Sequence, residues 1–327
     1  MRESKPTIYD PNFLPNMIYS GVPSWLNLSV IENDEDLKKI DAAVVGVPWE
    51  GGCTIGGYSS TTEGPKAVRS TSIRYTGFLP DYDLDCFDYL RVADSGDVAT
   101  QNGNYDFTFQ SIRERIGKLA DAKIIPITIG GDHGIAYPII SEIAKRHPKK
   151  VGVLHFDAHL DNYSHFGDDE LSRCSPFYRV YNDPNMDPTK IAHIGIRGPR
   201  NHREEYNNAM KYGATVIRAI DVHEDGWKAA ISKALEVVSK DTEYIYITVC
   251  ADSLDAANMP QAPQDMGGLT SYELLMMLHE AGLAGARGID FVETYPEVFT
   301  LQTAAHVVNW AFLYYLNGLA QHIKDSK

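Results

Sequence analysis

Val151-Gly152-Val153-Leu154-His155-Phe156-Asp157-Ala158-His159-Leu160-Asp161 is an apolar run that passes without a break into three metal-competent side chains. Its first six residues suit a strand buried on both faces, as in a parallel sheet. If the backbone stays extended past the strand end, Asp157, His159 and Asp161 at i, i+2 and i+4 project to one side. Two carboxylates and an imidazole suit Mn2+, Ni2+, Zn2+ or Fe2+. Ligands of open α/β sheets collect beyond the carboxyl ends of the strands, which is where these three residues fall. A solvated acidic turn would account for the stretch taken alone, so the rest of the chain decides.

Runs of the same kind recur at 42–47 (ended by Pro48), 124–129, 191–196, 244–249 and 288–292. Between them lie stretches with helical periodicity: one opening at 64–69 with Pro at an early position, then 134–146, 228–240, 271–281 and 304–324. Strands alternating with helices predict a mostly parallel sheet covered on both faces, a three-layer α/β/α arrangement. The polar stretch 161–187 is long for a loop inside a compact domain, and loops of that length are usually functional. No repeat or linker divides the chain, so the expected organisation is one domain over 41–327 behind an N-terminal extension, 1–40. That extension carries Tyr9, Phe13, Met17, Tyr19 and Trp25, too many aromatics for a disordered tail. They either anchor an interface or wrap the extension onto its own domain.

The 327 residues are 43% hydrophobic and 23% charged, a composition that fits a sizeable globular core. No apolar run approaches the ~18 residues of a membrane span, and the start of the chain lacks the apolar segment of a secretory signal. Cys53, Cys86, Cys174 and Cys250 lie far apart with no CxxC, which argues against a disulfide framework and for a reducing cytoplasm. The net charge of -14 opposes nucleic-acid binding and suits a small cationic substrate.

Three further strand ends bear polar groups. Ile129-Gly130-Gly131-Asp132-His133 presents His133 after a tight glycine turn. Thr248-Val249-Cys250-Ala251-Asp252-Ser253-Leu254-Asp255 and Asp290-Phe291-Val292-Glu293 close two more strands. Packing alone does not call for so many ligating groups at strand ends.

In order, GVP (46–48), GPKAVR (64–69), GGDH (130–133), DAHLD (157–161), HIGIR (193–197), the Asp252 strand, GGLT (267–270) and Glu293 resemble the ureohydrolases of the arginase and agmatinase family. The resemblance runs from about residue 40 to the end, and DAHxD with an upstream GGDH is its most specific part. It implies an arginase/deacetylase-like α/β/α fold with a binuclear Mn or Ni site. Carried over, it makes His133, Asp157, His159, Asp161 and Asp252 metal ligands, and Glu293 the group that binds a guanidine-type substrate through a charge-assisted pair. The implied chemistry is attack of a metal-activated hydroxide on the guanidinium carbon.

Two positions depart from the family pattern. Cys250 stands where the family has a carboxylate that bridges both metals, and Arg173 where it has a proton-relaying His. The segment 260–267 also lacks the usual PGTG run. A thiol and a guanidinium leave the pocket up to two charges less negative, so at most one well-held metal is expected. Arginine stays protonated and cannot shuttle protons, which leaves His165 as a weak relay candidate and no firm catalytic residue. The sequences around Trp49 and Asp255 look like the guanidine and biguanide hydrolases, commonly nickel-dependent. Within that branch the metformin-hydrolase type combines two ureohydrolase-like subunits, one with an incomplete site. The resemblance therefore implies a supporting chain, assembled with a complete-site paralogue as a trimer or hexamer. The alternative is a self-sufficient Ni or Mn amidinohydrolase in which Cys250, as thiolate, is an unusual metal ligand.

Overall fold

The computed structural model describes residues 5–9, 22–51, 60–296 and 302–327. At its centre lie eight strands: β1 (Ala42–Gly46), β2 (Val92–Asp97), β3 (Ile125–Ile129), β4 (Val151–Phe156), β5 (Ile191–Ile196), β6 (Thr215–Arg218), β7 (Tyr244–Cys250) and β8 (Ile289–Val292). Side by side they run β2-β1-β3-β8-β7-β4-β5-β6, and every pairing is parallel. Helices α1 (Gly64–Ser72), α2 (Tyr105–Asp121), α3 (Ala136–Ala144), α4 (Pro176–Tyr181), α5 (Arg203–Tyr212), α6 (Ala219–Asp225), α7 (Trp227–Ser239), α8 (Ser271–Leu283) and α9 (Thr303–Asp325) flank it. The expected three-layer α/β/α fold is the observed one.

The two faces of the sheet feed separate cores. Ala42 and Val44 of β1 pack with side chains of α1, α8 and α9, whereas Ala43 and Val45 pack with α2 and α3. This is the two-residue alternation of a strand buried on both sides. The sheet adds β2 and β6 to the six expected strands, and these two form its edges. The stretch 161–187 contains a short helix, α4, and the helix expected from 134 begins as a tighter turn, His133–Ile135, before α3.

Part of the N-terminal extension is stitched to its own chain. Ile31 N donates to the Asp94 carbonyl (2.8 Å) and Asp94 N to that of Ser29 (2.9 Å), which covers the outer edge of β2. Trp25 is fully buried; its backbone N–H meets Asp94 Oδ2 and its indole N–H meets Asn309 Oδ1, both at 2.7 Å. Tyr9 donates to Asp85 Oδ2 at 2.6 Å. These two aromatics wrap; Phe13, Met17 and Tyr19 lie outside the described residues. Among the described residues no helix is long and apolar enough to cross a membrane.

Helices α8 and α9 approach through Gly282 and Gly318. A Cβ at Gly318 would lie 2.0 Å from the carbonyl oxygen of His279, a backbone atom that cannot swing away. Gly318→Leu should therefore cost about 1–3 kcal/mol by overpacking. A fall in the urea midpoint at unchanged slope is the expected reading.

Candidate metal centre

The four strands that end in polar motifs, β3, β8, β7 and β4, are consecutive neighbours in the sheet. Register lines up their ends: Phe156 pairs with Val249, and Val292 with Cys250. The residues just beyond these strands consequently meet at one carboxyl edge. His133 Nδ1 lies 2.8 Å from Asp157 Oδ2 and 3.0 Å from Asp161 Oδ2. His159 Nδ1 lies 3.2 Å from Asp252 Oδ2 and 3.5 Å from Asp157 Oδ1. Donor atoms of His133, Asp157 and Cys250 come within 4.8 Å of one another, as do those of Asp157, His159 and Asp252. All five expected ligand positions thus converge, with Asp157 common to both groups.

The donor set fits a cation. His133 Nδ1 is buried and close to two carboxylates, yet aligned with neither for a hydrogen bond. That is how ligands stand around a shared centre. Its other nitrogen is fixed: Nε2 faces Thr248 Oγ1 at 3.2 Å, and Thr248 donates to Asp290 Oδ1 at 2.6 Å. Thr248 must then accept from Nε2–H, which leaves Nδ1 with a lone pair turned toward the cluster. Asp290, one of the strand-end carboxylates in the sequence, lies beneath the cluster and also accepts from Tyr246 at 2.8 Å.

The field in the cluster is negative enough to demand positive charge. Burial opposes charging His133, but the adjacent carboxylates of Asp157 and Asp161 outweigh it and hold its pKa well above the ordinary value. Burial likewise opposes Asp157, and contacts with His133, His155 and His159 outweigh it, holding that carboxyl well below its usual range. Burial, with the charge of Asp157, pushes Asp161 up to about 6. Burial and the neighbouring carboxylates push the Cys250 thiol well above its ordinary value.

Local backbone geometry places these groups. Asp161 and Glu293 both adopt positive φ, 45° and 58°, a conformation that costs non-glycine residues of order 1–3 kcal/mol. Phe177 N donates to the Asp161 carbonyl at 3.0 Å and Glu293 N to that of Gly131 at 2.9 Å, which pins both. Gly131 is required by close approach: a Cβ there would sit 1.9 Å from the Trp49 carbonyl oxygen.

Beside the cluster is a second, acidic group of side chains gathered around Arg173. Arg173 Nη1 donates to Glu293 Oε2 at 2.8 Å and to Tyr295 Oη at 3.4 Å; Nη2 reaches Glu50 Oε1 at 3.4 Å and Asp132 Oδ2 at 3.7 Å. Tyr295 also donates to Glu293 Oε2 at 2.7 Å. His165 is exposed and bonds Ser164 Oγ at 2.8 Å. Asp255 is taken up by the backbone N–H groups of Ala257, Gly267 and Gly268.

Sequence reasoning missed the groups that stand behind the cluster. Asp265 Oδ2 lies 3.4 Å from His159 Nε2 and 2.6 Å from Arg200 Nη1. His155 reaches Asp157 Oδ2 at 3.0 Å, His193 at 2.6 Å, and through it Tyr181 at 2.6 Å. One histidine inside each of the apolar strands β4 and β5, His155 and His193, paired in register, was the available signal.

Residues 40–315 match the profile of the arginase family. Guanidinobutyrase of Pseudomonas aeruginosa is 28% identical over 279 residues, covering 85% of this chain and 86% of that protein. The human mitochondrial guanidino acid hydrolase is 32% identical over 289 residues, covering 88% and 79% respectively. A solved proclavaminate amidino hydrolase from Streptomyces clavuligerus shares the fold with a TM-score of 0.84 at 24% identity, covering 93% of this chain and 99% of that one.

Proposed function

This chain belongs to the arginase family, and from that footing we propose that it is the supporting subunit of a hydrolase that cleaves C–N bonds of guanidine or biguanide compounds, in a metformin-hydrolase-like assembly. The observation that carries this reading is that Cys250 stands within reach of His133 and Asp157, a thiol at the place where a bridging carboxylate would be needed. One fewer negative charge among the ligands weakens the hold on a second divalent ion.

The ligand set His133, Asp157, His159, Asp161 and Asp252 would hold a divalent ion, Mn or Ni, whose chemistry is to lower the pKa of a bound water. The chain's own residues do the rest. Thr248 fixes the His133 tautomer, and the Asp265 carboxylate lies 3.4 Å from the far nitrogen of His159. Glu293, steadied by Tyr295, is a carboxylate suited to a planar cation, and in this chain it pairs with the guanidinium of Arg173. Arg173 carries no proton it can release at neutral pH, so no relay passes through it.

The partner in this reading is a complete-site paralogue, in a trimeric or hexameric assembly. The test compares the paralogue purified with and without this chain, its size by light scattering and its turnover of guanidine-type substrates. The paralogue is expected to be poorly soluble or slow alone, and this chain inactive alone. A paralogue equally soluble and active by itself would sink the proposal. A self-sufficient enzyme with Cys250 as thiolate ligand is favoured by one observation, the thiol's place inside a three-donor group. Two bound ions per chain and turnover by the isolated chain would establish that alternative.

A further inference from the structure

Arg173 is an internal guanidinium surrounded by the groups that would recognise an external one. Its fork faces three buried carboxylates, Glu293, Glu50 and Asp132, together with the Tyr295 hydroxyl. Its side chain is 13% exposed. A surface ion pair needs one partner and little burial; this arrangement encloses a planar cation.

The backbone that delivers it is held on both sides. Ser175 N donates to the Ser172 carbonyl at 2.9 Å, Cys174 N to Ser172 Oγ at 3.2 Å, and Tyr163 N to the Cys174 carbonyl at 3.1 Å. Ser172 and Ser175 are fully buried, and Pro176 starts α4 immediately afterwards. The Arg173 Cα also packs against the turn that carries His133, at 3.8 Å from where a Gly134 Cβ would be. A side chain on a mobile loop would leave the carboxylates free part of the time. This one is presented from a fixed stem.

We infer that Arg173 is a built-in pseudosubstrate: its guanidinium fills a recognition pocket formed by Glu293, Asp132, Glu50 and Tyr295 and excludes small guanidine-type cations from it. The inference rests on reading Glu293 as the recognition carboxylate of this family's pocket. Emptying the pocket should convert the chain into a receptor for free guanidinium, because three carboxylates would be left around a cavity shaped for that cation.

The experiment uses the full chain without any paralogue, so its outcome is independent of whether the chain supports another subunit. Arg173→Ala and the parent are titrated calorimetrically with guanidinium chloride, against ammonium chloride at equal ionic strength. Saturable low-millimolar binding is expected for Arg173→Ala only, with guanidinium and not with ammonium. Its Tm should rise by several degrees over the same range, by mass action. Adding Glu293→Gln should weaken that binding by about tenfold or more, the loss of one charge-assisted pair. Folded Arg173→Ala without saturable binding, equal binding of ammonium, or binding indifferent to Glu293→Gln would each overturn the inference. If Arg173→Ala fails to fold unaided, recovery of its native circular dichroism by millimolar guanidinium but not ammonium is the supporting result, and no recovery the refuting one.

Discussion

The double variant Cys250→Asp, Arg173→His should bind Mn2+ or Ni2+ at least about a hundredfold more tightly than the parent. The first change adds a negative charge inside the group formed with His133 and Asp157. The second removes a positive charge from the adjoining pocket, where Arg173 now neutralises part of Glu293, Glu50 and Asp132. A unit charge at ~7 Å and an effective dielectric of ~20 is worth about 2 kcal/mol, and each 1.4 kcal/mol is a factor of about ten. Calorimetric titration and metal content per chain measure the result. Unchanged affinity would mean that charge balance does not limit metal binding here.

The second large effect concerns stability. Arg69 grips Asp94 through two hydrogen bonds, Nε at 2.8 Å and Nη2 at 2.9 Å, and both side chains are almost fully buried. Asp94 also accepts from the backbone N–H groups of Trp25 and Gly96. One carboxylate therefore ties α1, the edge strand β2 and the N-terminal extension together. Arg69→Ala strands that carboxylate without its cation and should cost about 3–5 kcal/mol. Pairing Arg69→Met with Asp94→Asn should lose less than Arg69→Ala alone, because no charge is left buried without a partner. Chemical denaturation midpoints check both, and a loss under about 1 kcal/mol for Arg69→Ala would show that the three elements do not depend on this pair.

The central strands could be read from the sequence because they are buried on both faces and hence continuously apolar. Strands β4 and β5 fall where their apolar runs do, and β1, β3, β7 and β8 differ by a residue. Edge strands obey no such rule. Strand β2, Val92-Ala93-Asp94-Ser95-Gly96-Asp97, is polar over its second half, and β6 has four residues. Helix α2 did carry a signal, an Asn104 cap followed by Phe109, Ile112, Ile116 and Leu119 at helical spacing.

The candidate site divides in the same way. Residues at strand ends were legible because the sheet brings strand ends together. Asp265 was not, because it meets His159 across a turn whose path only tertiary packing defines. The sequence identified Arg173 by what it displaced, a histidine of the family pattern. Its placement against Glu293 is a contact across 120 residues of chain, which no local periodicity encodes.

Strand β8 sits between β3 and β7 in the middle of the sheet, yet it is the last strand of the chain to leave the ribosome. Until β8 is made, the strands on its two sides, β2-β1-β3 and β7-β4-β5-β6, have nothing to join them, and β3 and β7 each lack one partner. Such edges are templates for wrong pairing with other chains, so the nascent protein is most vulnerable just before residue 289 emerges. Glu293 follows β8 directly, and the acidic pocket closes only when that wedge slots in. Premature termination should therefore yield aggregates in place of a half-working fold, and chaperones that shield strand edges should raise the yield of the full-length chain.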